Sequence, residues 1–233
     1  MSERWSLLLT GPIQSPGDWE AAVRKAGWES LSHPLLQRTT LPMQDEPEER
    51  PDWIAITSTG ALPALKEARD AGAEWCKAPL AVVGERSAQA LAAEGLEIAL
   101  TATGGAAAGL AQALCSEAAK DSRVLWLRGE RARDLGDQLR AGGLQVDERI
   151  VYRTIPAPQL TAPLTDVVFF AAPEAVEIWC AEQHEFRPAA LAMGWTTLDA
   201  LQANQEHFSM TLPLASPQPA SLTLALEAIA TNK

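Results

Sequence analysis

The sequence predicts an α/β fold: two parallel-sheet domains joined by a two-stranded linker ladder and related by internal duplication. Three observations predict it. First, short apolar strands alternate with helices of about ten residues along most of the 233 residues, the pattern of parallel sheets covered on both faces. Second, the order of elements recurs. DWIAITSTGAL from Asp52 and DVVFFAAPEAV from Asp166 start 114 residues apart, while Gly84 and Gly194, like Leu91 and Leu201, are 110 apart. LLLTG at Leu7–Gly11 answers VLWLRG at Val124–Gly129. Near-constant offsets point to a duplicated unit of about half the chain; the competing reading is two ordinary α/β stretches alike only in type. Third, two extended runs, 30–42 and 146–156, are longer than a sheet strand needs and lead into no helix, as paired crossovers between two sheets would.

Each element has a local reason. Trp5–Thr10 is an apolar strand, and Ser15-Pro16-Gly17-Asp18 opens a helix that stops near Gly27, with Ser as the cap and Pro in the first turn. HPLLQRTTLP then runs extended, and the acidic, Pro-rich MQDEPEERP reads as a solvated connector. Strand–helix units follow at 53–57 with 60–71, 80–83 with 85–94, 97–101 with 105–119, and 124–128 with 130–141. After the second extended run come strand 166–171, helix 173–183, strand 189–193, helix 196–203, strand 207–212 and helix 217–231, the last capped by Ser216-Pro217. The expected division places residues 1–33 and 158–233 in one discontinuous domain, 45–148 in the other, and 34–44 and 149–157 in the linker strands.

Composition narrows the function. A net charge of −11 argues against a nucleic-acid binder, which usually carries a basic face. The run from Arg123 to Arg153 departs from this, with seven arginines against five acids, read as a solvated helix face with local ion pairs. Arg128 and Arg131 differ because they sit where a strand exits into a helix. The N-terminal apolar run is too short for a signal peptide and no 18-residue apolar stretch exists. With Cys76, Cys115 and Cys180 widely spaced and odd in number, the expectation is a cytoplasmic protein with buried free thiols.

Familiar catalytic sites are missing from the sequence. His33, His184 and His207 stand alone, without metal-ligand spacing. There is no GxSxG elbow, and Gly104 to Gly109 continues with Leu rather than the Lys-Ser/Thr of a phosphate loop. What remains is a set of strand-exit loops. They are Thr10-Gly11, Thr57-Ser58-Thr59-Gly60, Gly84 to Ser87, Thr103-Gly104-Gly105, Arg128-Gly129, Ala171-Ala172-Pro173, Gly194-Trp195-Thr196-Thr197 and Ala215-Ser216. Ligands of open α/β sheets bind outside the carboxyl ends of the strands, where helix N-termini aim free N–H groups. Two such edges facing each other would line a cleft rich in donors and poor in strong acids or bases, suited to a large polycarboxylate. For any single Ser or Thr the competing role is plain helix capping. Trp195 either stacks on a flat ligand or fills a helix–sheet gap. Tyr152, the only tyrosine, lies in a crossover, where its hydroxyl either reaches the ligand or bonds backbone across the ladder.

Taken in order, DWIAITSTGAL, LAVVGERSAQAL, VLWLRGERARDLGDQLRAGGLQVDERIVYRTIP, DVVFFAAPEAV, LAMGWTTLDAL and ASPQPASLTLAL resemble the uroporphyrinogen-III synthase family. With LLLTGPIQ and HPLLQRTTLP they cover nearly the whole chain. The resemblance implies a cytoplasmic, monomeric lyase of heme biosynthesis that uses no cofactor. It would cyclise and dehydrate hydroxymethylbilane to uroporphyrinogen III, inverting ring D, and hydroxymethylbilane synthase would be a natural transient partner. It also implies a catalytic role for Tyr152, proposed in the family to help the hydroxyl leave. By the same resemblance Ser58 falls on a family serine, Ser87 on a usual threonine and Thr197 on the second Thr of a GxTT motif. Thr57, Thr59, Gly84, Thr103, Gly104, Arg128, Ala172, Gly194 and Thr196 complete the expected substrate-binding set. Gly11, Gly60 and Ala172 stand where the family often keeps polar side chains. These departures favour the alternative, a catalytically weak paralogue that binds tetrapyrrole carboxylates. The acidic balance further implies that MQDEPEER faces away from a substrate with eight carboxylates.

Overall fold

Leu-Ala-Val-Val at 80–83 and Val-Val-Phe-Phe at 167–170 are buried at every position, as strands covered on both faces must be. The computed structural model describes residues 5–11, 16–43, 45–103, 107–132, 134–158, 161–182 and 186–231. The first half contains β1 (Ser6–Leu9), α1 (Pro16–Lys25), β2 (Glu29–Ser32), β3 (Leu36–Thr40), β4 (Trp53–Ile56), α2 (Leu62–Asp70), β5 (Leu80–Val83), α3 (Gly84–Ala92), β6 (Ile98–Ala102) and α4 (Ala107–Glu117). The second contains β7 (Arg123–Gly129), α5 (Leu135–Ala141), β8 (Gln145–Pro156), β9 (Val167–Phe170), α6 (Pro173–Ala181), β10 (Ala189–Ala192), α7 (Trp195–Ala203), β11 (Met210–Pro213) and α8 (Pro219–Thr231). Among the described residues no helix is long and apolar enough to cross a membrane.

The chain forms two units, Met1–Gln37 with Ile155–Lys233, and Arg38–Thr154. The first holds a parallel sheet in the order β11-β10-β9-β1-β2. Alternation sends Leu8, Val168, Phe170 and Ala190 into one core, around Trp179. Leu7, Leu9, Val167, Phe169 and Leu191 enter another, where Trp19 stacks on Phe169 at 5.0 Å. The second unit holds the order β3-β8-β7-β4-β5-β6, its members from β8 to β6 parallel. Ile54, Ile56, Leu125 and Leu127 pack on one face, and Ala55, Ala81, Val124 and Trp126 on the other.

Read from β2 in one sheet and β8 in the other, the parallel strands follow the same plan. The outermost parallel strand comes first, then its predecessor in the chain, then three strands in chain order. The starts of the central strands are clamped alike. Asp166 Oδ2 accepts from the Ser6 backbone N–H at 2.9 Å and from Ser6 Oγ at 3.1 Å, and the Asp166 N–H donates to Ser6 O at 3.2 Å. Asp52 Oδ2 accepts from the Arg123 N–H at 2.8 Å, and the Asp52 N–H donates to Arg123 O at 2.9 Å.

Several expectations need correcting. The first extended run is two strands: β2 is the parallel edge strand beside β1, and only β3, beyond His33-Pro34, pairs with β8. β3 and β8 run in opposite directions, since the Leu41 N–H donates to Val151 O at 2.8 Å and the Ala157 N–H to Leu35 O at 2.9 Å. The second extended run is the single strand β8, whose first part is the neighbour of β7. The helix expected from 130 starts at Leu135, because Arg128 Nη1 binds the carbonyls of Gly129, Glu130 and Ala132 and holds that stretch as a loop. The strand expected at 207–212 is β11: Gln205–His207 forms a 3-10 turn and Phe208 packs edge-on against Phe170 at 5.7 Å. α8 starts at Pro219 rather than 217, and the Ser216 hydroxyl bonds that of Ser221 at 2.7 Å. The expected Ser15 cap lies outside the described residues.

Replacing Asp166 by Ala removes an ionised acceptor from two donors. We expect a loss of about 1.5–3 kcal/mol in urea unfolding, with a smaller loss for Asp52→Ala at its more exposed site. Equal stability of Asp166→Ala and the parent chain would contradict the clamp.

Candidate functional site

The strand-exit edge of the second unit is built around Tyr152, and a register slip puts it there. Along β7 and β8 the pairing is regular from Arg123↔Gln145 to Arg128↔Ile150, then moves on so that Gly129 pairs with Tyr152. Val151 is the extra residue, and such a bulge re-aims the side chain that follows it. Val151 and Tyr152 therefore both pack toward the core of Ile54, Ile56, Leu125 and Leu127. There the tyrosine ring lies over two glycines. A methyl group at position 60 would come within 2.8 Å of Cε2 and Cζ of Tyr152, and one at position 129 within 2.6 Å of Cζ and 2.8 Å of the hydroxyl oxygen. The Glu130 N–H donates to Tyr152 O at 3.0 Å, fixing the backbone of the tyrosine. Among the described residues the phenolic hydroxyl has no hydrogen-bond partner, and Tyr152 is half-buried.

The neighbouring candidates divide by what holds them. Ser58 is extended and its Oγ accepts from the Gly60 N–H at 3.2 Å, capping the 3-10 turn Thr59–Ala61. Its hydroxyl thus shapes the loop that carries Gly60. Thr57 lies on the other face and accepts from Trp126 Nε1 at 3.4 Å; Thr59 is half-buried at the head of the turn. Gly84 takes φ +74° to turn β5 into α3, and Ser87 lies buried within that helix at 7% exposure. Thr103 is exposed just past β6, and Gly104 lies outside the described residues. Arg128 shares the Trp126 face, with its guanidinium carbon 5.3 Å from that ring. Its Nη1 reaches Ala132 O at 2.8 Å and its Nε stands 2.9 Å from Glu148 Oε2. Arg128 is thus a clamp on its own loop, and the structure turns it away from Tyr152.

In the first unit the exit edge is made mainly of backbone. Thr10 is fully buried and its Oγ1 donates to Phe169 O at 2.8 Å, pinning β1 to β9. Ala172 and Gly194, both extended, precede α6 and α7 and give neither helix a side-chain cap. Pro173 opens α6 without an N–H, so α7 is the better donor end. Thr197 is buried at 2% and Thr196 is exposed. Trp195 is 73% exposed and so fills no helix–sheet gap.

Groups that usually drive acid–base or covalent chemistry stand elsewhere. Burial pushes the Cys76 and Cys180 thiols up to about 11, so both stay protonated at neutral pH. His207 lies 3.7 Å from Glu206 before β11. Glu49 of the acidic connector pairs with Arg123 at 2.7 Å, at the start of β7 and hence at the opposite end of the sheet from Tyr152. Of the other arginines of the basic run, Arg140 pairs with Asp137 and Glu148, and Arg149 with Asp147, as on a solvated surface. Gly129, which the residue pattern placed in the Arg128-Gly129 exit loop but outside the expected substrate-binding set, is a further contributor.

Comparison with known proteins accounts for this layout. The uroporphyrinogen-III synthetase of Helicobacter pylori 26695 has the same fold, with a TM-score of 0.68 and 18% identity over 97% of this chain and 100% of that one. A selenomethionine derivative of a mutant uroporphyrinogen III synthase from the extremely thermophilic bacterium Thermus thermophilus matches with a TM-score of 0.54 and 19% identity over 98% and 100% of the two chains. The sequence model of the family described as Uroporphyrinogen-III synthase HemD matches residues 17–207, most of the chain. The chain belongs to the uroporphyrinogen-III synthase family, the cyclising lyases of heme biosynthesis.

Proposed function

We propose that this enzyme closes hydroxymethylbilane to uroporphyrinogen III, with loss of water and inversion of ring D, and that Tyr152 is its catalytic residue. The observation that carries this reading is a phenolic hydroxyl at a strand-exit edge with no hydrogen-bond partner among the described residues. The C–O bond of the hydroxymethyl group on ring A breaks, and its oxygen takes the Tyr152 proton and leaves as water. The pyrrole nitrogen supplies the electron pair that stabilises the azafulvene cation, so the protein need add little acid–base power. Ring D then bonds that carbon through its substituted position, making a spiro centre. The older bond from that position to the methylene of ring C breaks to leave a second azafulvene cation. That methylene bonds the free α-position of ring D, and the proton lost from that position restores the phenol.

What the protein must add is position, because unflipped closure competes. The uncapped first turn of α7 and the loops at Thr57–Thr59 and Gly84 offer backbone donors to the carboxylates of the substrate, each worth about 0.3–1 kcal/mol. Trp195 offers an exposed ring for a pyrrole. The Glu49–Arg123 pair keeps connector charge at the far end of the sheet from Tyr152. The enzyme acts as a cytoplasmic monomer without a cofactor and receives the unstable bilane in transient contact with hydroxymethylbilane synthase.

Incubation with freshly made hydroxymethylbilane should give mainly the type III isomer. The type I isomer alone, or uroporphyrin binding without turnover, would contradict the reading. Tyr152→Phe should lower kcat by about tenfold to a hundredfold and retain measurable type III product; unchanged kcat would remove the tyrosine from the reaction. Trp195→Ala should raise KM by about twofold to tenfold with little change in kcat, the worth of one aromatic contact. An unchanged KM would leave the exposed indole without a part in binding.

A further inference from the structure

We propose that Gly60 and Gly129 are positioning residues for Tyr152: together they form a seat for its ring, and a side chain at either one displaces the hydroxyl from the reacting group. The catalytic consequence rests on the reading of Tyr152 given above; the seat itself stands on geometry alone.

Glycine is commonly required where φ is positive, but among the described residues the positive-φ glycines are Gly27, Gly72, Gly84, Gly95 and Gly143, and neither Gly60 nor Gly129 is one of them. Glycine is also used where another group must approach the backbone closely. At both positions the three nearest atoms to an added methyl belong to a single side chain, that of Tyr152. At 60 they are Cε2 and Cζ at 2.8 Å and Cδ2 at 3.0 Å; at 129 they are Cζ at 2.6 Å, Cε2 at 2.7 Å and the hydroxyl oxygen at 2.8 Å. All are closer than a methyl group and a ring can pack, so ring or loop must move. The two contacts come from different elements, the turn after β4 and the end of β7. They converge on one edge of the ring, and its hydroxyl has no hydrogen-bond partner among the described residues.

The absence of a side chain at position 60 then has a structural reason. The space that a side chain there would take belongs to the ring. The same account separates Gly60 from Gly84, whose backbone demands glycine whatever surrounds it.

Two mutant cycles test the proposal. For stability, Gly60→Ala and Gly129→Ala are each made in the parent chain and in Tyr152→Ala. We expect each to lower Tm by roughly 2–4 °C in the parent and to leave it unchanged or raised once the ring is gone. The same loss in both backgrounds, or none in either, overturns the seat. For activity, each glycine variant should lower kcat by about tenfold to a hundredfold with KM within about threefold, and raise the share of type I isomer. In a Tyr152→Phe background, which keeps the ring but lacks the hydroxyl, the glycine changes should cost no further kcat. A full additional loss there overturns positioning through the hydroxyl. Full activity of Tyr152→Phe alone would refute the proton-transfer role, and the stability cycle would still judge the seat. Should Gly129→Ala fail to fold in the parent chain, its folding in the Tyr152→Ala background supports the seat and its failure there opposes it, while Gly60→Ala runs the activity cycle.

Discussion

Between Arg128 and Gly129 the pairing of two parallel strands moves on by one residue, and the exit edge of the second sheet depends on that slip. Side chains on a strand alternate between faces, so a one-residue slip decides which face a residue serves. In unbroken register Val151 would stand opposite Gly129. With the slip, Tyr152 takes that place and its ring settles on the face where the turn after β4 brings Gly60. The loop between β7 and α5 is held by Arg128 on the opposite face, beside Trp126 and Glu148. One arginine and one tyrosine, separated by the thickness of a sheet, thus fix the two sides of the same strand end.

The proposed reaction explains why such an edge would suffice. A leaving hydroxyl assisted by a pyrrole nitrogen needs one well-aimed donor rather than a buried acid with a shifted pKa. On the proposed reading that donor is the Tyr152 phenol, whose oxygen has no hydrogen-bond partner among the described residues and is flanked by backbone N–H groups and short side chains. Rigid elements support the arrangement. In the same sheet β5 is buried at every position, and the start of β4 is clamped by Asp52, bonded to the first residue of β7. A site carried on strand ends moves less than one carried on long loops.

The parallel sheets are legible in the sequence because strands buried on both faces must be apolar throughout, and LAVV and VVFF have no other soluble explanation. The correspondence of Asp52 with Asp166 is legible for a similar reason, since each carboxylate precedes its strand by one residue and clamps a neighbour. Illegible features come from contacts between distant residues. Nothing near Glu130 says that the helix waits until Leu135; Arg128, by taking three carbonyls, decides it. Nothing in ESLSHPLLQRTT says that its first part becomes an edge strand, because pairing with β1 is a tertiary choice. At the site, the Ser and Thr types point to an edge rich in donors. Their hydroxyls divide by contact, Ser58 to its own turn and Ser87 into a helix interior. The slip that aims Tyr152 depends on register across two strands, which local periodicity does not carry.

The central claim is that the open hydroxyl of Tyr152 meets the substrate, and the composition offers a direct probe of it. Tyr152 is the only tyrosine of the chain, so protein labelled with ¹³C at the tyrosine Cζ gives a single ring signal. Titration with a stable, non-reacting bilane analogue should move that signal as the phenol gains a hydrogen-bond partner, saturating with the affinity measured by fluorescence. A signal that stays fixed while the analogue saturates the protein would contradict the account.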